Sequence, residues 1–266
     1  MLPLDIKQAG FSWVNARALA ERCAAAYQAG GQKAEDGSRT RLITNAQTDT
    51  EALVILEPDC VSVSFRGSRN LRDWIQDFKV AKEHPRTDLV VEEAGDVVQV
   101  HTGFMQDVES VSEELTHALR NLVVNATGQK PVFVTGHSKG GSEAILFALE
   151  LARQNFVQVA GVYTFGQPRV GNAVFRRVYN DELRALTWRV VNENDIVPRV
   201  PLWTMGYRHC GQEIFLPVGG GWCLNPGLGS QLLSDAMGLW GAWRQERDVL
   251  VSEHAIGSYQ KRIQFL

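Results

Sequence analysis

Cysteine is scarce in this chain: there are four in 266 residues, and no two form a CxxC pair. This excludes the common zinc-finger, zinc-ribbon and thioredoxin-type motifs. Cys23 lies in an Ala-rich helical stretch and Cys60 heads a strand-like run, both places for buried free thiols. Cys210 and Cys223 flank a short apolar run and a glycine-rich turn, so a bridge between them stays open. No apolar run approaches the ~20 residues a bilayer demands, which leaves no candidate membrane span. Blocks of like charge are also missing. The 27 Lys and Arg against 30 Asp and Glu leave a net charge of −3, which disfavours a nucleic-acid partner. The start, Met1-Leu2-Pro3-Leu4-Asp5-Ile6-Lys7, lacks a basic region followed by an apolar stretch, so the expectation is a cytoplasmic protein or one exported without a cleavable leader. With no repeat, no low-complexity tract and no Pro/Gly/Ser-rich linker, one domain over 1–266 is expected.

What the sequence does contain is an alternation of short apolar strands and helices. Ala16, Leu19, Ala20, Cys23, Ala24 and Tyr27 share one face of a helix over 15–28 that stops at Gly30-Gly31. Strands are predicted over 52–56, 61–65, 97–101, 157–165, 186–191 and 212–216. Helices are predicted over 107–121, 173–179, 228–243 and 253–263. This pattern predicts an α/β protein with a mostly parallel central sheet covered by helices on both faces.

The most telling stretch is Gly136-His137-Ser138-Lys139-Gly140. It follows the β-branched run from Pro131 to Thr135 and precedes an apolar helical segment. A G-x-S-x-G pentapeptide in a strand–turn–helix context is a nucleophile elbow. Side chains at 136 and 140 would collide with the flanking elements. A serine hydroxyl needs a base, and the base needs an acid to hold its tautomer. In the order expected of this fold, Ser138 is followed by Asp195 at the exit of a strand and then by His254 near the terminal helix. Glu193 is the rival acid. The other histidines fit less well: His84 sits beside Pro85, His101 and His117 precede the serine, His137 lies inside the elbow, and His209 follows Asp195 too closely.

An oxyanion intermediate needs N–H donors. Lys139 supplies the backbone N–H after the nucleophile, and Ser68, in Phe65-Arg66-Gly67-Ser68, is the second candidate. Beyond Ser68, over 69–80, Leu71, Trp74, Ile75 and Phe78 form an apolar stripe at helical spacing. The stripe suits either a helix packed on the core or a mobile lid over an apolar site. Leu228, Leu232, Met237, Trp240 and Trp243 are candidates for an acyl-site wall, although core packing is the commoner use of such a stripe.

Taken together, these segments resemble the class 3 lipases, the family of the fungal triacylglycerol lipases. The resemblance rests on Phe65-Arg66-Gly67-Ser68 with Trp74-Ile75, His101-Thr102-Gly103-Phe104, the elbow with Gly141, Thr164-Phe165-Gly166-Gln167-Pro168-Arg169-Val170-Gly171-Asn172, Asn194-Asp195-Ile196-Val197-Pro198, and His254 followed by Tyr259. It implies an α/β-hydrolase fold, a Ser138–Asp195–His254 triad, Ser68 and Lys139 as oxyanion donors, and a lid after Ser68. It also implies hydrolysis of lipid or other esters, met at a lipid–water interface, without a metal or organic cofactor. A phospholipase A1, a feruloyl-type esterase and a non-catalytic lipid-binding member are the alternatives. Lys139 departs from the leucine usual there, which calls for a salt-bridge partner or an altered substrate. The cysteine set points to a bacterial relative rather than a secreted, disulfide-stapled fungal enzyme.

Overall fold

The computed structural model describes residues 1–8, 10–29, 39–69, 92–93, 96–124, 130–227 and 252–266. Its strands are β1 (Thr40–Asn45), β2 (Thr50–Leu56), β3 (Val61–Phe65), β4 (Glu92–Glu93), β5 (Asp96–Val97), β6 (Val132–His137), β7 (Val159–Phe165), β8 (Thr187–Asn192), β9 (Gln212–Leu216) and β10 (Cys223–Leu224). The helices are α1 (Trp13–Gln28), α2 (Thr102–Val124), α3 (Lys139–Gln154), α4 (Ala173–Leu183) and α5 (Ile256–Ile263). Eight strands form one sheet in the order β1-β2-β3-β6-β7-β8-β9-β10, while β4 and β5 pair as a separate ribbon.

The sheet is parallel from β3 to β9 and antiparallel at both edges. Connection length decides this. The turns joining β1 to β2 and β2 to β3 are too short for a crossover, whereas α2, α3 and α4 fall between successive inner strands. The result is an α/β-hydrolase fold.

The two-residue period of each strand divides the core. On β6, Val132 and Val134 join the cluster formed with Phe104, Val108, Leu115, Ile145, Phe147 and Phe175 beneath α2, α3 and α4. Phe133 points the other way, to Leu19, Cys23, Tyr163, Trp188 and Tyr259 beneath α1 and α5. Strand β6 is thus buried on both faces, which accounts for its continuous apolar reading.

Several boundaries differ from the sequence reading. Val98–Val100 adds no strand to the main sheet. Val100 makes only an isolated bridge to Gly171, because α2 begins at Thr102 rather than Asp107. β1 and β10 have no counterpart among the expected strands; both are edge strands whose pairing depends on a neighbour rather than on their own pattern. Cys210 is buried and Cys223 is exposed on β10, and all four cysteines are free thiols, so the possible 210–223 bridge is not formed. The expected lid with Leu71, Trp74, Ile75 and Phe78, and the stripe over 228–243, lie outside the described residues. Among the described residues, no helix is long and apolar enough to cross a membrane.

Candidate active site

One residue, Ser138, separates the end of β6 from the start of α3. Its backbone has positive φ, at φ 60° and ψ −133°. A non-glycine residue holds such a conformation at a cost of about 1–3 kcal/mol, so its surroundings must impose it. They do so by close approach. A Cβ on Gly136 would lie 2.0 Å from the Gly140 carbonyl oxygen, and one on Gly140 would lie 2.4 Å from that of Phe65. The Ser138 N–H donates to Phe165 O at 2.9 Å. Ser138 is the N-cap of α3, but its hydroxyl makes no capping bond. Ser138 Oγ is therefore a buried atom without a hydrogen-bond partner.

Asp195 lies in the turn after β8 and is wholly buried. Its Oδ1 accepts from Val197 N–H at 2.8 Å. Its Oδ2 accepts from Tyr259 O–H at 2.6 Å and from His254 Nδ1 at 2.7 Å. A carboxylate only accepts, so Nδ1 carries the proton and a neutral His254 presents the lone pair of Nε2. Nε2 is likewise buried and unpartnered. The rival acid, Glu193, points elsewhere and accepts from Val218 N–H at 2.6 Å. Asn192 Nδ2 donates to Glu253 O at 3.0 Å and steadies the segment carrying His254. The terminal helix proper begins at Ile256, and His254 lies in a short helical stretch over 252–254 that a bend at Ala255 separates from it.

The donor candidates follow from strand pairing. β3 and β6 run parallel with Phe65 opposite Gly136, so the chain leaving β3 through Gly67 and Ser68 emerges beside the elbow. Ser68 is half-buried. Lys139 begins α3, where the helix dipole favours negative charge. Its side chain finds the partners that its departure from leucine called for. Nζ lies 3.1 Å from Asp107 Oδ2 on α2 and 3.1 Å from Glu143 Oε1, one turn on. Burial opposes the ammonium, but Glu143 and Asp107 outweigh it and hold Lys139 above the ordinary lysine value. Burial pushes the Glu143 carboxyl up from 4.5 to about 8, against the pull of Lys139.

Among the described residues, no group of three or more His, Cys, Asp or Glu could hold a metal ion. His209 Nε2 donates to the Pro198 carbonyl at 2.7 Å, and burial holds the ring well below the usual histidine range.

The class 3 lipase family model matches residues 62–205, over half of the chain. The chain belongs to the class 3 lipase family. A secreted mono- and diacylglycerol lipase 1 of Fusarium solani is 38% identical over 162 residues, covering 60% of this chain and 44% of that relative. This family member thus spans about half the length of the curated relatives it matches. The solved Rhizomucor miehei triacylglyceride lipase superposes with a TM-score of 0.63 at 27% identity, over 79% of this chain and 82% of that one. A second solved structure, described as a triacylglycerol lipase whose catalytic centre is a serine protease triad, matches at a TM-score of 0.58 and 27% identity over the same shares.

Two residues beside the site carried no role in the sequence reading. Tyr259 entered only as part of the family resemblance, yet it donates to the Asp195 carboxylate. His137, set aside as a base, is buried and bonds the His254 carbonyl through Nε2 at 2.7 Å. No local pattern signals either contact, since each spans more than 60 residues of chain.

Proposed function

We infer that this protein is a serine hydrolase that cleaves carboxylic esters of lipids through an acyl-enzyme, working as one domain. Ser138 Oγ attacks the ester carbonyl while His254 Nε2 takes its proton. Asp195 orients the imidazole and stabilises its charged form. The backbone N–H of Lys139 and the Ser68 group hold the oxyanion. His254 then protonates the leaving alcohol, and water deacylates Ser138 with His254 again as base.

The observation that carries this reading is the pairing of a wholly buried Asp195–His254 contact of 2.7 Å with a serine on a positive-φ elbow. The catalytic arrangement described for the triacylglycerol lipase structure supports it. Lipid esters are favoured as substrates by the mono- and diacylglycerol lipase relative.

The test is Ser138→Ala in folded protein, assayed on p-nitrophenyl esters of rising chain length with and without an emulsion. The expected loss is on the order of 10⁴-fold or more in kcat. Undiminished turnover would overturn the mechanism. Long-chain activity that rises at the emulsion supports a lipase. Confinement to short or aromatic esters would refute the lipid assignment in favour of the esterase alternative.

A further inference from the structure

Resting on the hydrolase reading above, we propose that Tyr27 and His137 are positioning residues for the reaction: together they tie the turn carrying Ser68 to the backbone of His254. Tyr27 Oη lies 2.7 Å from His137 Nδ1, and His137 Nε2 lies 2.7 Å from the carbonyl oxygen of His254. Neither contact belongs to the triad, but together they cross from α1 through the elbow to the base.

The proton arrangement in this chain of contacts is determined. A carbonyl oxygen only accepts, so His137 Nε2 carries a hydrogen. His137 is fully enclosed, and burial, reinforced by neighbouring His254, holds its pKa well below the usual histidine range. The ring is therefore neutral, its Nδ1 is bare, and Tyr27 O–H donates to it. Burial pushes the Tyr27 phenol well above its ordinary value, so that hydroxyl keeps its proton at any working pH. Each group has one role, donor or acceptor, and none can reverse without breaking a neighbour's bond.

The other end of the link is steric. A Cβ on Gly67 would lie 2.1 Å from Tyr27 Oη, 2.7 Å from the His137 carbonyl oxygen and 3.0 Å from Ser138 Cβ. The phenol also faces the Gly67 backbone amide. Gly67 precedes Ser68, so the phenol sets how closely the donor turn approaches the elbow. The His137 and His254 rings lie 4.6 Å apart between centroids, inclined by 33°, which restricts the base from the side as well. The donor turn follows β3 whereas the general base sits just before α5, and an error of about 1 Å in their separation can cost on the order of 100-fold in rate. A rigid connection between them acts on that separation directly.

The test uses the full chain. Tyr27→Phe removes one oxygen and keeps the ring, so folding should survive. Its kcat on a p-nitrophenyl ester should fall roughly tenfold with KM unchanged. His137→Leu should lose more than Tyr27→Phe, while His137→Gln, whose amide can still donate to the His254 carbonyl, should recover part of the loss. Wild-type kcat in folded Tyr27→Phe and His137→Leu, or a change confined to KM, would overturn the proposal. A readout independent of turnover keeps it separable from the hydrolase reading. ¹⁵N NMR of histidine-labelled protein should show His137 protonated at Nε2 and bare at Nδ1. An Nδ1–H tautomer or an imidazolium would defeat the positioning link even in a fully active enzyme. An inactive protein with the expected tautomer would instead count against the hydrolase reading.

Discussion

Two cations flank the proposed oxyanion donors, and they are anchored differently. Arg66 precedes the turn to Ser68. It is 2% exposed, and its guanidinium reaches Asp49 Oδ1 at 2.9 Å and Glu51 Oε2 at 3.2 Å. The Asp49 side chain is 60% exposed, and Glu51 has a second partner in Arg69 at 2.7 Å. Lys139 reaches two carboxylates at similar distances, but one of them, Glu143, has no solvent access at all. The arginine fork passes part of its charge to Asp49, a group in contact with water. A lysine between two helices is enclosed with a carboxyl that burial pushes towards neutrality. The first anchor is an ionic tie with one end in water, while the second encloses a carboxyl whose proton affinity burial raises.

The largest expected effect of breaking this contrast is at Arg66. Arg66→Met leaves Glu51 beside the donor turn with only the exposed Arg69. Urea denaturation should register a loss of about 3 kcal/mol, in the range for removing one partner of a buried pair. Ester turnover should fall with it. An equally stable variant would mean that the Asp49 and Glu51 contacts contribute little.

Lys139→Leu, which restores the residue usual in the family, should follow. It leaves Asp107 and Glu143 facing each other without a cation. Urea denaturation at neutral pH should show a loss of about 2 kcal/mol. The backbone donor survives, so kcat should fall less than tenfold. A larger kcat loss at full stability would give the ammonium itself a part in catalysis.

The smallest and most diagnostic effect is in the pH profile of Glu143→Gln. The folded-state pKa of Glu143 is about 8, above the unfolded value of 4.5. The unfolded chain therefore releases the proton first. The stability that this carboxyl contributes is complete below 4.5 and is lost as pH rises towards 8. Thermal melts across that window should show the wild type declining and Glu143→Gln flatter. Parallel curves would show that Lys139 keeps the carboxyl ionised throughout.

The parts of the site written in local sequence are legible there directly. Gly136, Ser138 and Gly140 announce their turn because the same steric conflict arises wherever a strand runs into a helix through one residue. Asp195 can be placed at a strand end because its strand is apolar and the residues after it are polar. Its preference over Glu193 is decided by the fold, since both carboxylates leave the same strand and only packing selects which one meets an imidazole. Tyr27 reads simply as the last apolar position of an amphipathic helix, and His137 as a residue facing away. Their joint contact spans 110 positions, and no periodicity records a bond of that length.

The sequence by itself determined the alternation of strands and helices, the elbow, and the order of the proposed nucleophile, acid and base. Each is a short-range consequence of hydrophobic period, turn sterics or linear succession. Only the tertiary structure decided which carboxylate holds His254, what neutralises Lys139, and how the elbow imidazole joins the donor turn to the base. Those choices depend on hydrogen bonds and charge pairs between segments that meet only when the sheet closes and removes water from between them.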